Sequence, residues 1–250
     1  MLLIIPMAGR GSRYANVGYT TPKPLIELNG KPMLYHAFQS VKDVPYEKVI
    51  FIALKEHELT YGVSKIIKEQ IVSEFELILL DNVTEGQLCT VLTAAHFFKF
   101  NQPLLIAASD SYIESDIAQE VNTIPADGLI SVINLPGEQW SFAKTDDQGK
   151  VIEVAEKKRI SDYASTGIYY FKDAKRFEQH AQQLIQQKET TKGEYYIMPL
   201  YNKYIIEGAQ IELSHAKTMW DMGTPEAKQK FEVYLNEMPK NLYTTRTKDH

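Results

Sequence analysis

The chain opens on Leu2-Leu3-Ile4-Ile5-Pro6, a stretch that is apolar at every position and runs straight into Gly9-Arg10-Gly11. A strand that is apolar throughout, rather than at alternate positions, must be covered on both faces. Similar runs recur at Lys48 to Leu54, Phe75 to Leu80 and Pro103 to Ala108. Helical patterns lie between them. Leu59, Val63, Ile66, Ile67 and Ile71 fall on one helix face, and Gly86 to Lys99 reads as another helix with Leu88, Val91, Leu92 and Ala95 turned inward. Strands alternating with helices predict an α/β fold, a Rossmann-like doubly wound sheet that is mostly parallel.

The pattern changes after Asp110. Gly128 to Leu135, Ser141 to Thr145, Val151 to Glu156 and Ala164 to Phe171 read as strands with shorter links, an added and partly antiparallel half suited to binding a substrate. Helices are expected at Asp173 to Gln187 and Ile197 to Glu207. A last helix starts at Thr224, a capping residue, with Pro225 at its first position. Phe231, Tyr234, Leu235 and Met238 form its core stripe, and Pro239 ends it. No linker or repeat divides the chain, so residues 1–238 are expected to form one domain followed by a polar tail, 239–250.

Composition narrows the function. The chain has 250 residues, is 44% hydrophobic and carries a formal net charge of −5. That balance argues against a nucleic-acid binder, which needs a basic face. The single cysteine, Cys89, can form no internal disulfide, which fits a reducing compartment. The short opening run lacks the basic start and small-residue cleavage site of a signal peptide. Nothing approaches the roughly 20 apolar residues of a membrane span. A soluble, cytoplasmic protein is expected.

The loop Pro6-Met7-Ala8-Gly9-Arg10-Gly11-Ser12-Arg13 follows the first strand directly. In a doubly wound fold it lies at the carboxyl edge of the sheet, where ligands bind. Glycines let backbone N–H groups approach phosphate oxygens, and Arg10 and Arg13 add charge with bidentate geometry. It is neither a dinucleotide fingerprint, since Tyr14 holds the place of the third glycine, nor a P-loop, since Arg13 follows Ser12. A plain turn remains open for the loop alone. Downstream, Lys23 stands between Pro22 and Pro24, which stiffen its backbone and suit a fixed point charge beside phosphates.

Together these residues resemble the sugar-phosphate nucleotidyltransferase family, whose members carry a Gly-x-Gly-x-Arg loop and a downstream Pro-Lys-Pro; here they read GRGSR and TPKPLIELNGKPML. The likeness continues in order through SDS at 109–111, VIEVAEKK at 151–158, ASTGIYYF at 164–171 and WDMGTPE at 220–226. Two segments depart from the family pattern. TEGQLCTVLTA at 84–94 occupies the place of the base-reading loop but lacks its usual Gly-Thr-Ala or Gly-Leu-Ala-Gln. GEYYIMPLY at 193–201 differs from sugar-thymidylyl members. The base and the acceptor therefore stay open.

The resemblance implies that an acceptor phosphate, such as a sugar 1-phosphate, attacks the α-phosphorus of a nucleoside triphosphate and releases pyrophosphate. The product is an activated metabolite of the kind that feeds surface-polysaccharide synthesis. Arg13 and Lys23 are implied as catalytic. Ala8, Gly9, Arg10, Gly11 and Ser12, with Gly86, Cys89 and Thr90, are implied to bind the nucleotide. Glu156, Lys157, Thr166 and Gly167 are implied to bind the acceptor. Asp110 and Asp221 are implied to hold Mg²⁺, with Mn²⁺ as an alternative. The partners are thus the two small molecules, with no nucleic acid or membrane and oligomerisation left open.

Blander readings stand beside these. Asp110 could cap a turn, Asp221 could form an Asx-turn, and Glu156 and Lys157 could belong to a solvated charged run. Cys89 reads as a packed residue, and Trp140, Tyr169 and Tyr170 as core. His36 and His57 have no partners at metal-ligand spacing. Three rival functions remain: a glycosyltransferase, which would normally show an Asp-x-Asp pair where only Asp110 stands, a cytidylyltransferase for a phosphorylated amine or polyol, and a non-catalytic regulator.

Overall fold

A computed structural model describes residues 1–237; Met238, Pro239 and the tail 239–250 lie outside the described residues. In chain order the elements are β1 (Leu2–Pro6), α1 (Ser12–Ala15), β2 (Glu27–Leu28), β3 (Lys31–Pro32), α2 (Met33–Gln39), β4 (Lys48–Leu54), α3 (Lys55–Tyr61), α4 (Val63–Gln70), β5 (Glu76–Leu80), α5 (Gln87–Leu92), β6 (Leu104–Ala107), β7 (Ser111–Glu114) and α6 (Ile117–Thr123). They continue with β8 (Gly128–Asn134), β9 (Ser141–Thr145), β10 (Val151–Glu156), β11 (Tyr163–Phe171), α7 (Ala174–Gln186), α8 (Leu200–Ile206), β12 (Ile211–His215), β13 (Thr218–Asp221) and α9 (Pro225–Glu237). Among the described residues no helix is long and apolar enough to cross a membrane.

Within the described residues the main sheet has nine strands, ordered β10-β9-β11-β6-β1-β4-β5, with β8 beside β11 and β12 beside β8. β1 pairs in parallel with β4 and β6, and β4 with β5. The parallel core explains the continuous apolar runs. Leu2, Ile4, Ile50, Ile52, Leu104 and Ile106 enter one core, while Leu3, Ile5, Val49, Phe51 and Leu105 enter the core on the opposite face. β11 then runs antiparallel to β6, β8 and β9, and β10 to β9, which makes the second half the antiparallel extension. The expected fold class is observed.

Several local expectations change. The helix expected from Leu59 to Ile71 is two helices, because Gly62 adopts φ 64° between α3 and α4. The break rotates Leu59 out to 78% exposure, whereas Val63 and Ile67 stay buried. The helix expected to reach Lys99 stops at Leu92, and a single 3-10 turn follows at Ala95–Phe97. α8 begins at Leu200 rather than Ile197, with Pro199 at its cap. Asp173 and Thr224 do cap their helices: their side chains accept from the N–H groups of Arg176 and Ala227.

Two short ladders were not expected, β2 with β3 and β7 with β13. Strands of two to four residues are too brief to show a period. The second ladder matters for the site, because it sets Asp221 opposite Ser111, next to Asp110. Beneath it a small core of Tyr14, Met33, Ala37, Tyr112, Met222, Phe231 and Leu235 joins α1, α2 and α9. His36 is buried beside this core, its Nε2–H donating to the Leu28 carbonyl, and burial pushes its pKa down to about 4.

Candidate active site

The carboxyl ends of β1 and β6 open onto a cleft of about 600 Å³. Ala8, Gly9, Arg10, Gly11, Ser12, Lys23, Gly86, Thr90 and Asp110 all line it, so residues far apart in the chain share one wall. Gly9 faces open space, since a Cβ there would meet nothing within 4 Å. Gly11 is required locally. It adopts φ 60° at the start of α1, and a Cβ would stand 3.1 Å from Lys23 Cβ. A side chain at Gly11 would therefore push on Lys23 rather than only fill space meant for phosphate. Arg10 and Arg13 hold no hydrogen bond or ion pair among the described residues, which leaves two guanidinium groups available beside the loop.

Lys23 begins a 3-10 turn flanked by Pro22 and Pro24. Its Nζ donates to Asp110 Oδ2 at 2.6 Å, with each side chain about a quarter exposed (24%). Burial opposes the charge on Asp110, but Lys23 and then Arg13 outweigh it and hold the carboxyl below its usual range. Asp221 is the opposite case. Burial and the negative charge of Asp110 raise its pKa, and the Gly223 N–H that donates to its Oδ1 at 2.9 Å only partly offsets them. The two carboxylates flank Gly223: a Cβ there would meet Asp221 Oδ1 at 2.9 Å and Asp110 Oδ2 at 3.4 Å. The Met222 N–H donates to the Asp110 carbonyl at 2.8 Å, which fixes the two segments together.

Tyr14 pins this arrangement. Its buried hydroxyl lies 2.6 Å from the Met222 carbonyl and 2.9 Å from that of Thr224, so α1 is tied to the segment that carries Asp221. In the sequence Tyr14 registers only as a missing glycine.

Gly86 is also required by its surroundings. Its φ is 137°, and a Cβ would lie 2.4 Å from the Tyr195 carbonyl oxygen. The Tyr195 N–H donates to Glu85 O at 2.9 Å, and the Leu88 N–H to Tyr195 O at 3.1 Å. The two segments that depart from the family pattern are thus bonded to each other. Thr90 and Thr84 share a hydroxyl contact of 2.6 Å at the cleft wall. Cys89 is not on that wall. It packs against the hydrophobic core, and burial raises its thiol pKa.

The acceptor residues are dispersed. Glu156 Oε2 accepts from Ser141 Oγ, and burial raises its pKa. Lys157 holds a positive φ of 53° and donates to the Tyr196 hydroxyl, which in turn donates to Glu194. Glu194 and Tyr196 line the cleft, and the sequence reading singled out neither. A glutamate beside two tyrosines in GEYYI was the available signal, and it was read only as a departure. Thr166 is buried with its hydroxyl donating to Ser131, away from the cleft. Gly167 makes a bulge in β11 with φ 90°, where a Cβ would lie 2.9 Å from Ala108 Cβ, and its carbonyl accepts from the Ala108 N–H. Its place is under the strand end that leads to Asp110. Tyr169 and Tyr170 are core residues, and half-buried Trp140 donates to the Pro136 carbonyl.

Residues 3–235 match the sequence profile of the family described as nucleotidyl transferase. The chain is 24% identical to the UTP–glucose-1-phosphate uridylyltransferase AglF of Haloferax volcanii, over 95% of this chain and 97% of that protein. It is 26% identical to the 2-aminoethylphosphonate cytidylyltransferase of Lancefieldella rimae, over 82% and 80%. Its fold is similar to that of the nucleoside-diphosphate-sugar pyrophosphorylase from Vibrio cholerae RC9, with a TM-score of 0.79 and 28% identity, covering 92% of this chain and 99% of that one. It spans only 40% of the length of a bifunctional relative.

Proposed function

The chain belongs to the nucleotidyl transferase family, and on that footing we propose that it joins a nucleoside triphosphate to a sugar 1-phosphate. An oxygen of the acceptor phosphate forms a bond to the α-phosphorus, the bond from that phosphorus to the β-phosphate oxygen breaks, and pyrophosphate leaves. The observation that carries this reading is the meeting of Lys23, Asp110 and Asp221 beside the glycine loop. Such a reaction needs no covalent nucleophile from the protein. It needs two polyanions held in line and their charge neutralised.

Gly9 and Gly11 would present backbone N–H groups to the triphosphate, with Arg10 and Arg13 at its flank. Lys23, held by its prolines, would sit where the α-phosphate and acceptor phosphate meet. Glu156 would accept from acceptor hydroxyls. Lys157, paired with Tyr196, would balance the acceptor phosphate.

Among the described residues no group of three or more metal-type side chains occurs. Two carboxylates nonetheless suit Mg²⁺, which takes one or two carboxylates and completes its shell with water and substrate phosphates. The raised pKa of Asp221 beside Asp110 marks a place where a cation relieves repulsion. Asp110 and Asp221 would hold the ion, which when bound neutralises charge on the phosphate oxygens.

A second reading is cytidylyl transfer to a phosphorylated amine or polyol, favoured by the similarity to the Lancefieldella rimae protein. A grid of nucleoside triphosphates against phosphorylated acceptors, read by pyrophosphate release, separates the two. Turnover confined to sugar 1-phosphates supports the first. Turnover confined to aminoalkyl or polyol phosphates replaces it with the second. Release of nucleoside diphosphate instead of pyrophosphate overturns both.

A further inference from the structure

Lys23 Nζ lies 2.6 Å from Asp110 Oδ2. That same Oδ2 and Asp221 Oδ1 both face Gly223, where a Cβ would meet them at 3.4 Å and 2.9 Å. An oxygen that a divalent ion between the two carboxylates would use is therefore already bonded to an ammonium. Two cations on one carboxylate oxygen repel each other, so the ion and the ammonium compete. We propose that Lys23 is the placeholder cation of the metal site, holding Asp110 until the triphosphate draws its ammonium away. This rests on the metal role of Asp110 and Asp221 proposed above.

The geometry supplies the means for the exchange. The prolines fix the Lys23 backbone, but its four-carbon stem can step between staggered rotamers once the bond to Asp110 is exchanged. Lys23, the glycine loop and Asp110 line one continuous cleft, so phosphate oxygens arriving at Gly11 come within reach of the ammonium without backbone movement. A Cβ at Gly11 would stand 3.1 Å from Lys23 Cβ, so the glycine loop lies close to the root of the Lys23 side chain, while the bond to Asp110 holds its tip. An empty site also needs a counter-charge, because Asp110 and Asp221 repel each other. The other cation that acts on both carboxylates, Arg13, bonds to neither. The divalent ion would accordingly bind the free protein weakly and gain affinity once a triphosphate has taken the ammonium.

The test is Mn²⁺ binding to the full chain without nucleotide or acceptor, followed by the paramagnetic resonance signal of free Mn²⁺. Lys23→Met and Lys23→Gln should each bind Mn²⁺ about 10-fold tighter than the unaltered protein, the scale of one adjacent unit charge acting on a carboxylate. Lys23→Arg, which keeps the charge, should not. Adding Asp110→Asn to Lys23→Met should remove the gain. If the neutral variants bind Mn²⁺ no tighter than the unaltered protein, the placeholder role is wrong while the two-carboxylate site stands. If no form binds Mn²⁺, even with a non-reactive α,β-methylene triphosphate present, the metal site and the placeholder fall together. Two neutral variants, each checked for native circular dichroism, keep the result readable if one folds poorly.

Discussion

Along the glycine loop the cleft is lined by backbone and by Arg10, with Arg13 following in α1; neither guanidinium makes a hydrogen bond or ion pair among the described residues. On the acceptor side, Glu156 is bonded to Ser141, Lys157 to Tyr196 and Tyr196 to Glu194. The first wall can take a polyanion with little rearrangement. The second must exchange existing hydrogen bonds for new ones, and an acceptor that cannot replace them leaves polar groups unpaired. If the first takes the nucleotide and the second the acceptor, as proposed above, the nucleotide wall would serve affinity to a common chemical group and the acceptor wall discrimination. Lys23 and Asp110 line the floor between them, and Asp221 meets Asp110 beside Gly223.

The largest effects are expected at that floor. Asp110→Asn and Asp221→Asn should each lower turnover by about 10²- to 10³-fold, the range for loss of one preorganised electrostatic group. If both act through one ion, the double variant should lose far less than the product of the two. Activity should also vanish with chelator and return with Mg²⁺ or Mn²⁺. Independent multiplication of the two losses, in steady-state assays with excess metal, would separate the aspartates.

Lys23→Ala should cost about 10²-fold in turnover and lower the unfolding midpoint slightly, because Asp110 loses its ion-pair partner. Near-normal turnover would remove it from the floor. Gly86→Ala challenges the separation of the walls, because Gly86 lies on the proposed nucleotide side yet is hemmed in by Tyr195, next to the cleft-lining Glu194 and Tyr196. Strain at its φ of 137° and displacement of Tyr195 should cost about 2 kcal/mol of stability in denaturant titration. The same variant should weaken both substrates. If only the nucleotide suffers, the walls act independently.

Glu156→Ala should raise the acceptor KM by about 10-fold and leave the nucleotide KM near its starting value. Equal changes in both would show that Glu156 supports the fold. The smallest effect is expected for Tyr14→Phe, which removes a buried hydroxyl serving two carbonyls. About 1 kcal/mol of stability should be lost. Metal affinity should fall as well if Tyr14 positions Asp221, and unchanged Mn²⁺ binding would confine it to packing.

Much of the loop wall of the cleft was legible because its determinants are local. The loop from Ala8 to Arg13 follows β1 directly, and the prolines around Lys23 announce themselves in sequence. The acceptor wall was harder. Thr166 matched a family motif but turns into the sheet toward Ser131, and Cys89 sat within an expected nucleotide loop but packs into the core. In each case the side chain's direction depended on neighbours from distant strands. Glu194 and Tyr196 went unnoticed because nothing near them in sequence reveals the Glu85–Tyr195 bond that brings them to the cleft.

What the sequence determined by itself was the parallel core, the strand-to-loop transition at Gly9 and the set of charges a phosphate-transfer site would need. These follow from periodicity, backbone permissiveness and residue chemistry, all of which act over a few positions. Only the tertiary structure decided that Asp221 stands beside Asp110, because that depends on a four-residue ladder between β7 and β13 too short to carry a pattern. It likewise decided that Lys23 occupies Asp110 and that Gly86 is walled by Tyr195. Contacts of this kind arise where packing closes long loops, and the groups that meet there are chosen by the shape of the folded chain rather than by their neighbours along it.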